Sequence, residues 1–275
     1  MDFLPIMPIN ENDGDLNEKI EVPGEIALLP LRNTVLFPGV VLPITVGRDK
    51  SIKAVNESYK GTKLIGVVAQ KDSNVEDPAG KDLEEIGTVA RIIKQIKMPD
   101  GGTTIIIQGK ARFAIQSIVS EDPFFKATIT GIEEEEAPTD PDFQAYVANI
   151  KDVATEIIQL SPNIPSEASV ILRNIENASF LIHFVSSNLT IDIKEKQQLL
   201  QLNNLRERAE LLMQFLQKEL QFAELKNKVT NKTRTEIDKQ QREYFLQQQL
   251  KSIKEELGGD PNEREVKELQ KRAES

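Results

Sequence analysis

Along the chain, the rhythm of apolar and polar positions changes once, near residue 135. From Ile26 to about Ile132, short β-branched runs alternate with turn formers: "EIALLPLRNTVLFPGVVLPITV", "KLIGVVAQ", "GTVARIIKQIKMPDGGTTIIIQGKARFAIQSI" and "FFKATITGI". Alternation with period two, bounded by glycine, proline and aspartate, predicts strands, and several short strands in a row predict a small barrel or sandwich. Proline has no ladder donor, so Pro30, Pro38 and Pro43 assign their runs to edges, bends or loops. The "PDGG" between two alternating runs predicts a tight hairpin, because Asp-Gly accepts the positive φ of a type I′ turn. One helix is expected inside this region, over Lys50–Tyr59, with Asp49 as its N-cap.

The acidic, proline-containing run "EEEEAPTDPD" ends the strands. Beyond it the period becomes 3.6: Phe143, Tyr146, Val147, Ile150, Val153, Ile157 and Leu160 share one helical face. A second helix, from a Ser166 cap, is expected to carry Val170, Leu172, Ile175, Ala178, Leu181, Ile182 and Val185. Helix resumes near Asp192. Leu202, Leu205, Ala209, Leu212 and Leu216 then recur at alternating spacings of three and four, the pattern of a helix-packing seam, and packing within the chain's own bundle is the simplest use for it. Leu246, Leu250, Ile253 and Leu257 repeat the pattern. Between the seams, "KNKVTNKTRTE" is polar and β-branched, which predicts a weak point or kink. The charged helical pattern is still running in "REVKELQKRAES" at Ser275.

The expected fold class is therefore α+β. A disordered acidic arm is expected over 1–24, a β-rich domain over 25–135, a helical bundle over 140–220, and a long helix or linker over 221–275.

Charge narrows the partners. With 34 basic and 44 acidic residues the chain carries −10 at pH 7, which disfavours a polyanion as main partner. Aromatics are 5% with no Trp, sparse for base stacking or for a small-molecule pocket. The absence of cysteine excludes disulfides, thiolate metal sites and thiol catalysis. No apolar run approaches membrane-span length, and the first residues are acidic where a secretory signal would be basic. A cytoplasmic location without membrane contact is expected.

No catalytic constellation emerges. The single histidine, His183 in "FLIHFVSS", reads as a structural residue and has no partner at metal-ligand spacing. The runs Glu133–Glu136 and Glu84–Glu85 read as solvated loops rather than acid/base pairs. Neither a phosphate-binding G-x-x-x-x-G-K-[ST] loop nor a G-x-S-x-G elbow occurs, and the glycines of "EELGGDP" follow a helix, as a stop does.

The residues carry a resemblance as well. "IALLPLRNTVLFPGVVLPITVGRDKSIKAV" resembles the opening of the amino-terminal domain of Lon, the ATP-dependent protease, through Pro30, Leu31, Arg32, Phe37, Pro38, Gly39, Pro43, Gly47 and Arg48. "QQREYFLQQQLKSIKEELG" is similar to that family's later helical motif through Arg242, Glu243, Tyr244, Leu246, Gln249, Leu250, Ile253, Glu256, Leu257 and Gly258. The resemblance implies a PUA-like β pseudo-barrel followed by an α-helical bundle and a long helix leading to an ATPase ring. It implies an amino-terminal fragment that is not itself an enzyme and holds no cofactor or metal. ATP and Mg would serve the intact enzyme, a stress-linked homohexameric serine endopeptidase whose ATP site and Ser-Lys dyad would lie outside this chain. The implied partners are unfolded or damaged proteins, and copies of itself in a hexamer.

On that footing Met98 and Pro99, apolar at a hairpin tip, and Phe37 and Pro38 in "VLFPG" are candidate substrate-binding residues. The plainer alternatives are a loop covering its own barrel for Met98 and a core residue for Phe37. Tyr244, Phe245, Leu246, Leu250, Ile253 and Leu257 are candidate assembly residues. Two other classes stay open: a nucleic-acid binder using Lys226, Lys228, Lys232, Arg234, Lys239 and Arg242, and a small-ligand sensor on the same β module.

Overall fold

The computed structural model describes residues 20–97, 103–162, 164–256 and 261–274. Six strands, β1 (Glu25–Leu31), β2 (Val41–Val46), β3 (Leu64–Ala69), β4 (Ile86–Lys97), β5 (Thr103–Ser120) and β6 (Lys126–Gly131), form one sheet in the order β2-β5-β4-β3-β1-β6. β6 also pairs with β5, which closes five of the strands into a ring and leaves β2 appended. β5 serves three neighbours by dividing its length: Thr103–Gln108 faces β2, Thr103–Ala114 faces β4, and Phe113–Ser120 faces β6. Lys110 is an extra residue opposite Val89–Ala90, and Gln116 and Val119 are extra residues opposite β6. Such bulges bend a strand and increase its twist, as closure requires.

The bulge at Lys110 also reverses which way β5 points. Before it, Ile105 and Ile107 belong to a core on the outside of the ring; after it, Phe113 enters the interior with Ile26, Leu28, Val68, Val89, Ala127 and Ile129. β1 alternates in the same sense, with Ile26 and Leu28 inside and Leu29 and Leu31 outside. Both faces of this strand are buried, which is why its sequence reads as a nearly continuous apolar run. Pro43 lies in β2, which pairs only with β5, so its missing donor costs no second ladder bond.

β1 and β3 are the one parallel pair among the described strands, and helix α1 (Asp49–Lys60) packs on both. The helix begins at Asp49 itself, so Asp49 is not its cap; Arg48 holds that position without a side-chain capping bond.

The "FPG" turn is built into the outer core. Phe37 has no exposed surface, Gly39 takes φ +77°, and a Cβ on Gly39 would stand 2.6 Å from the ring of Phe180. Gly39 donates its backbone N–H to the Gly109 carbonyl at 2.9 Å, and Gly109 donates to Val40 at 2.9 Å. A Cβ at Gly109 would lie 2.3 Å from the Phe37 carbonyl oxygen, so only glycine permits this approach.

The helices are α2 (Pro141–Leu160), α3 (Glu167–Asn174), α4 (Ala178–Asn188), α5 (Ile193–Gln201), α6 (Leu205–Glu256) and α7 (Pro261–Ala273). Asp140 caps α2 by accepting from the Phe143 N–H at 3.1 Å, and a proline stands in its first turn. The single helix expected after Ser166 is split, because Asn177 caps α4 by accepting from the Phe180 N–H at 2.9 Å. The later break lies at Leu202–Asn204, not in the polar "KNKVTNKTRTE" stretch, which is helical throughout.

The chain divides into two units, one ending at Gln221 and one starting at Phe222. In the first, Phe143, Ile150, Leu181, Ile182, Leu199, Leu205, Ala209, Leu212 and Leu216 share one core with Leu29, Val35, Ile65, Ile92 and Ile105. The helical bundle is thus packed on the outer face of the ring. The second unit holds the remainder of α6 and α7, and the large apolar side chains described there are exposed.

Candidate functional site

Between ring and bundle lies a buried ionic staple. Arg112 of β5 and Arg208 of α6 have no exposed surface. Arg112 donates through Nε to Glu134 Oε1 at 2.6 Å, and through Nη1 to the carbonyls of Leu200 and Leu202 at 3.0 Å and to Asn203 Oδ1 at 3.1 Å. Arg208 donates to the Leu202 carbonyl from both Nε and Nη2, and lies 3.6 Å from Glu134 Oε2. The loop that interrupts the helices at Leu202–Asn204 is therefore a socket of backbone carbonyls for two guanidinium groups. A planar fork of donors suits that task better than a lysine ammonium.

His183 of α4 completes the cluster. It is 3% exposed, and its Nε2 stands 2.5 Å from Arg208 Nη1. A guanidinium cannot accept, so Nε2 does, and the ring proton sits on Nδ1. There it bonds the Pro38 backbone. Desolvation pushes the His183 pKa down to about 3 against the opposing pull of Glu134, which keeps the ring neutral. Burial works against ionisation of Glu134, but with His183 neutral the charges of Arg112 and Arg208 and the Arg112 hydrogen bond outweigh it and hold the carboxyl below its usual range. Burial, with Arg112 second, brings Arg208 down to about 10, so it remains charged at neutral pH. These groups face one another across the junction, in which the arginines and His183 are buried and Glu134 keeps 31% of its side chain exposed. His183, expected to be structural, is buried and hydrogen-bonded in the junction. Glu134 was expected to be a solvated loop residue and is instead the counter-ion of two buried arginines.

The residues expected to bind substrate divide. Phe37 is fully buried against the His183 ring, at 6.0 Å between centroids, and Pro38 is buried beside it. Both belong to the core, which corrects their assignment to an exposed surface: the turn is drawn inward by its bonds to Gly109. Met98 and Pro99 lie outside the described residues. The arms of their hairpin do carry exposed apolar groups that sequence reading passed over, Ile93 at 45% and Ile96 at 38%. Ile93 is an extra residue in β4, between Ile92 opposite Ile107 and Lys94 opposite Ile106, so this bulge breaks the inward register there.

Of the residues expected in assembly, Tyr244, Phe245, Leu246, Leu250 and Ile253 all lie on α6 with more than half of their surface exposed. Leu257 lies outside the described residues. Phe222, Leu225 and Val229 extend the exposed apolar set, and they keep the same seven-residue phase as Leu246, Leu250 and Ile253. Polar Lys232, Glu236, Lys239 and Glu243 occupy the intervening positions, with Lys239 and Glu243 paired at 4.0 Å. Among the described residues no cluster of His, Cys, Asp or Glu could hold a metal ion, and no helix is long and apolar enough to cross a membrane.

The family model described as "ATP-dependent protease La (LON) substrate-binding domain" matches residues 25–218. The chain belongs to the Lon substrate-binding-domain family. The Lon protease of Flavobacterium johnsoniae is 50% identical over 273 residues, covering 99% of this chain and 33% of the relative. That of Cytophaga hutchinsonii is 43% identical over 275 residues, covering 99% and 34%. The chain thus spans about a third of the length of the Lon relatives it matches. Two solved structures share the fold. The N-terminal domain of a Mycobacterium avium complex Lon protease superposes with a TM-score of 0.56 at 21% identity, over 70% of this chain and 98% of that one. A Lon N-terminal domain protein from Xanthomonas campestris gives 0.51 at 17%, over 69% and 96%. The staple and the β4–β5 hairpin lie inside the residues matched to the Lon family, whereas the exposed stripe of α6 around Leu250 lies beyond them.

Proposed function

We propose that this chain is the non-catalytic substrate-recognition and assembly region of an ATP-dependent serine protease, and that it holds exposed apolar segments of unfolded polypeptides. The observation that carries the reading is the placement of exposed apolar side chains in a domain of the Lon substrate-binding family. Ile93 and Ile96 stand exposed on the β4 arm of the β4–β5 hairpin, as Val119, Val170 and Ile171 do elsewhere in the same unit. Apolar, shape-tolerant contacts suit a receptor that must take many sequences. The stripe from Phe222 to Ile253 supports the second half of the reading, self-association towards a cytoplasmic homohexamer. ATP with Mg and the serine–lysine chemistry would belong to other parts of the intact enzyme.

The experiment is to titrate the isotopically labelled chain with one test protein, first native and then locked unfolded by carboxymethylation of its reduced cysteines. Binding to the unfolded form alone, with backbone shifts at Ile93 and Ile96, is the expected result. Equal binding of both forms, or of neither, defeats the reading.

A further inference from the structure

The parallel pair β1 and β3 with its α1 crossover brings three chain segments to one end of the sheet. Arg32 follows β1, Arg48 precedes α1, and Gln70 follows β3. Hydrogen bonds lock them together. The Gln70 N–H donates to the Leu31 carbonyl at 2.8 Å, and Arg48 Nη2 donates to Gln70 Oε1 at 2.6 Å. Gln70 Nε2 donates to the Val75 carbonyl at 3.0 Å, while Arg32 Nη2 donates to the Glu76 carbonyl at 3.1 Å. Gln70 is 1% exposed, so Arg48 is oriented by a buried and fully committed amide.

What distinguishes these two arginines is their company. Arg112, Arg206 and Arg208 each have a carboxylate within ion-pair distance. Among the described residues neither Arg32 nor Arg48 does, in a chain with 44 acidic residues against 34 basic ones. Asp77, the nearby acid best placed to help, pairs with Lys50 at 3.9 Å. Arg32 Nε is shut off from water and has no hydrogen-bond partner. Desolvation and the neighbouring charge of Arg32 both lower the Arg48 pKa, with Asp77 and Glu76 opposing, so the two cations lie within electrostatic reach of each other. Two neighbouring guanidinium groups without an ion-pair partner among the described residues, one of them oriented by the buried Gln70 amide, can receive a planar oxyanion.

We propose that Arg32 and Arg48 form a carboxylate-binding site at the carboxyl ends of β1 and β3, which takes the α-carboxylate or an acidic side chain of a bound polypeptide. This deepens the substrate-recognition reading and rests on it for the polypeptide. The apolar hairpin would supply tolerance, and the arginine pair would favour substrates with a carboxylate near the apolar segment.

The test uses this whole chain and one apolar, unstructured peptide made in three forms: with a free carboxyl terminus, with a terminal amide, and as the amide with one internal glutamate. The two carboxylate forms should bind roughly tenfold more tightly than the amide. That preference should vanish in Arg48→Gln and in Arg32→Gln while the amide's affinity and the melting temperature hold. Arg48→Lys should recover less than half of it, since a point charge cannot form the fork. Equal affinity of all three forms in the unsubstituted chain overturns the site and leaves the apolar reading standing. If no form binds, the apolar reading falls, and the site is decided by acetate alone, followed at the Nε–H signals of both arginines. Saturating shifts there sustain it, and linear drift overturns it. Saturation by inorganic phosphate but not acetate would also overturn the carboxylate assignment.

Discussion

Arg208 donates to Nε2 of His183 across 2.5 Å, and this contact, added to burial, keeps the only histidine neutral. With Nε2 accepting and Nδ1 bonded to the Pro38 backbone, the ring has no vacant nitrogen to protonate. The junction between ring and bundle is thus assembled around a neutral imidazole, two guanidinium groups and one carboxylate.

An acid-sensitive stability follows. The His183 pKa falls from 6.5 to about 3 on folding, so between those values the unfolded chain binds a proton that the native one refuses. The contribution is fully present above pH 6.5 and is lost as pH drops towards 3, at up to about 1.4 kcal/mol per pH unit. Glu134, also lowered, acts in the same direction further down. Urea midpoints measured at pH 7.5 and 5.0 should fall with pH, and His183→Gln should show a shallower fall from a lower start. A profile as steep in His183→Gln as in the original chain would assign the acid lability elsewhere.

Glu134→Gln separates the staple from a solvated acidic loop. Removing the charge leaves two buried guanidinium groups without a counter-ion, and the loss should be about 3 kcal/mol. Glu135→Gln and Glu136→Gln should stay within about 0.5 kcal/mol, as surface changes do. Chemical denaturation of the three variants side by side reads this directly. Three equal results would mean the staple contributes little.

Gly109→Ala places a methyl group 2.3 Å from the Phe37 carbonyl oxygen, a backbone atom that cannot rotate away. The "FPG" turn or β5 must shift, at a cost of roughly 2–3 kcal/mol. Thermal melting should register the drop, and a new exposure of the Phe37 turn should appear as faster amide exchange at Gly39 and Val40. An unchanged melting temperature would show that the turn moves freely.

Ile96→Asp should weaken binding of an unfolded test protein several-fold without changing the melting temperature, because Ile96 is 38% exposed and outside both cores. Titration calorimetry beside a melting curve keeps the two effects apart. Intact affinity in this variant would remove the hairpin arms from the substrate surface.

Leu250→Asp addresses the α6 stripe. Leu250 is 57% exposed, and self-association through the stripe would bury it with Phe245 and Ile253. Sedimentation velocity over a concentration series should show the original chain associating, and the variant needing at least tenfold more protein to do so. Identical profiles would leave the stripe without a self-association role.

Local chemistry made much of this protein legible in its sequence. Alternation marked the strands, Pro43 marked an edge, and the Asp-Gly dipeptide, itself outside the described residues, announced the pairing of β4 with β5. The 3.6-residue period marked the bundle, because each signal arises from neighbours a few positions apart. Tertiary structure decided the rest. The bulge at Lys110 that turns β5 from outer core to interior has no composition of its own, since it is defined by the partner strand. The burial of Phe37 depends on Gly109, seventy-two positions away in β5, and on His183 in a helix. Glu134 sits among identical neighbours in "EEEE", and only the arrival of Arg112 from β5 and Arg208 from α6 sets it apart. A pattern with a short period can be read along the chain; a charge pair or a close approach between distant segments exists only once folding has brought them together.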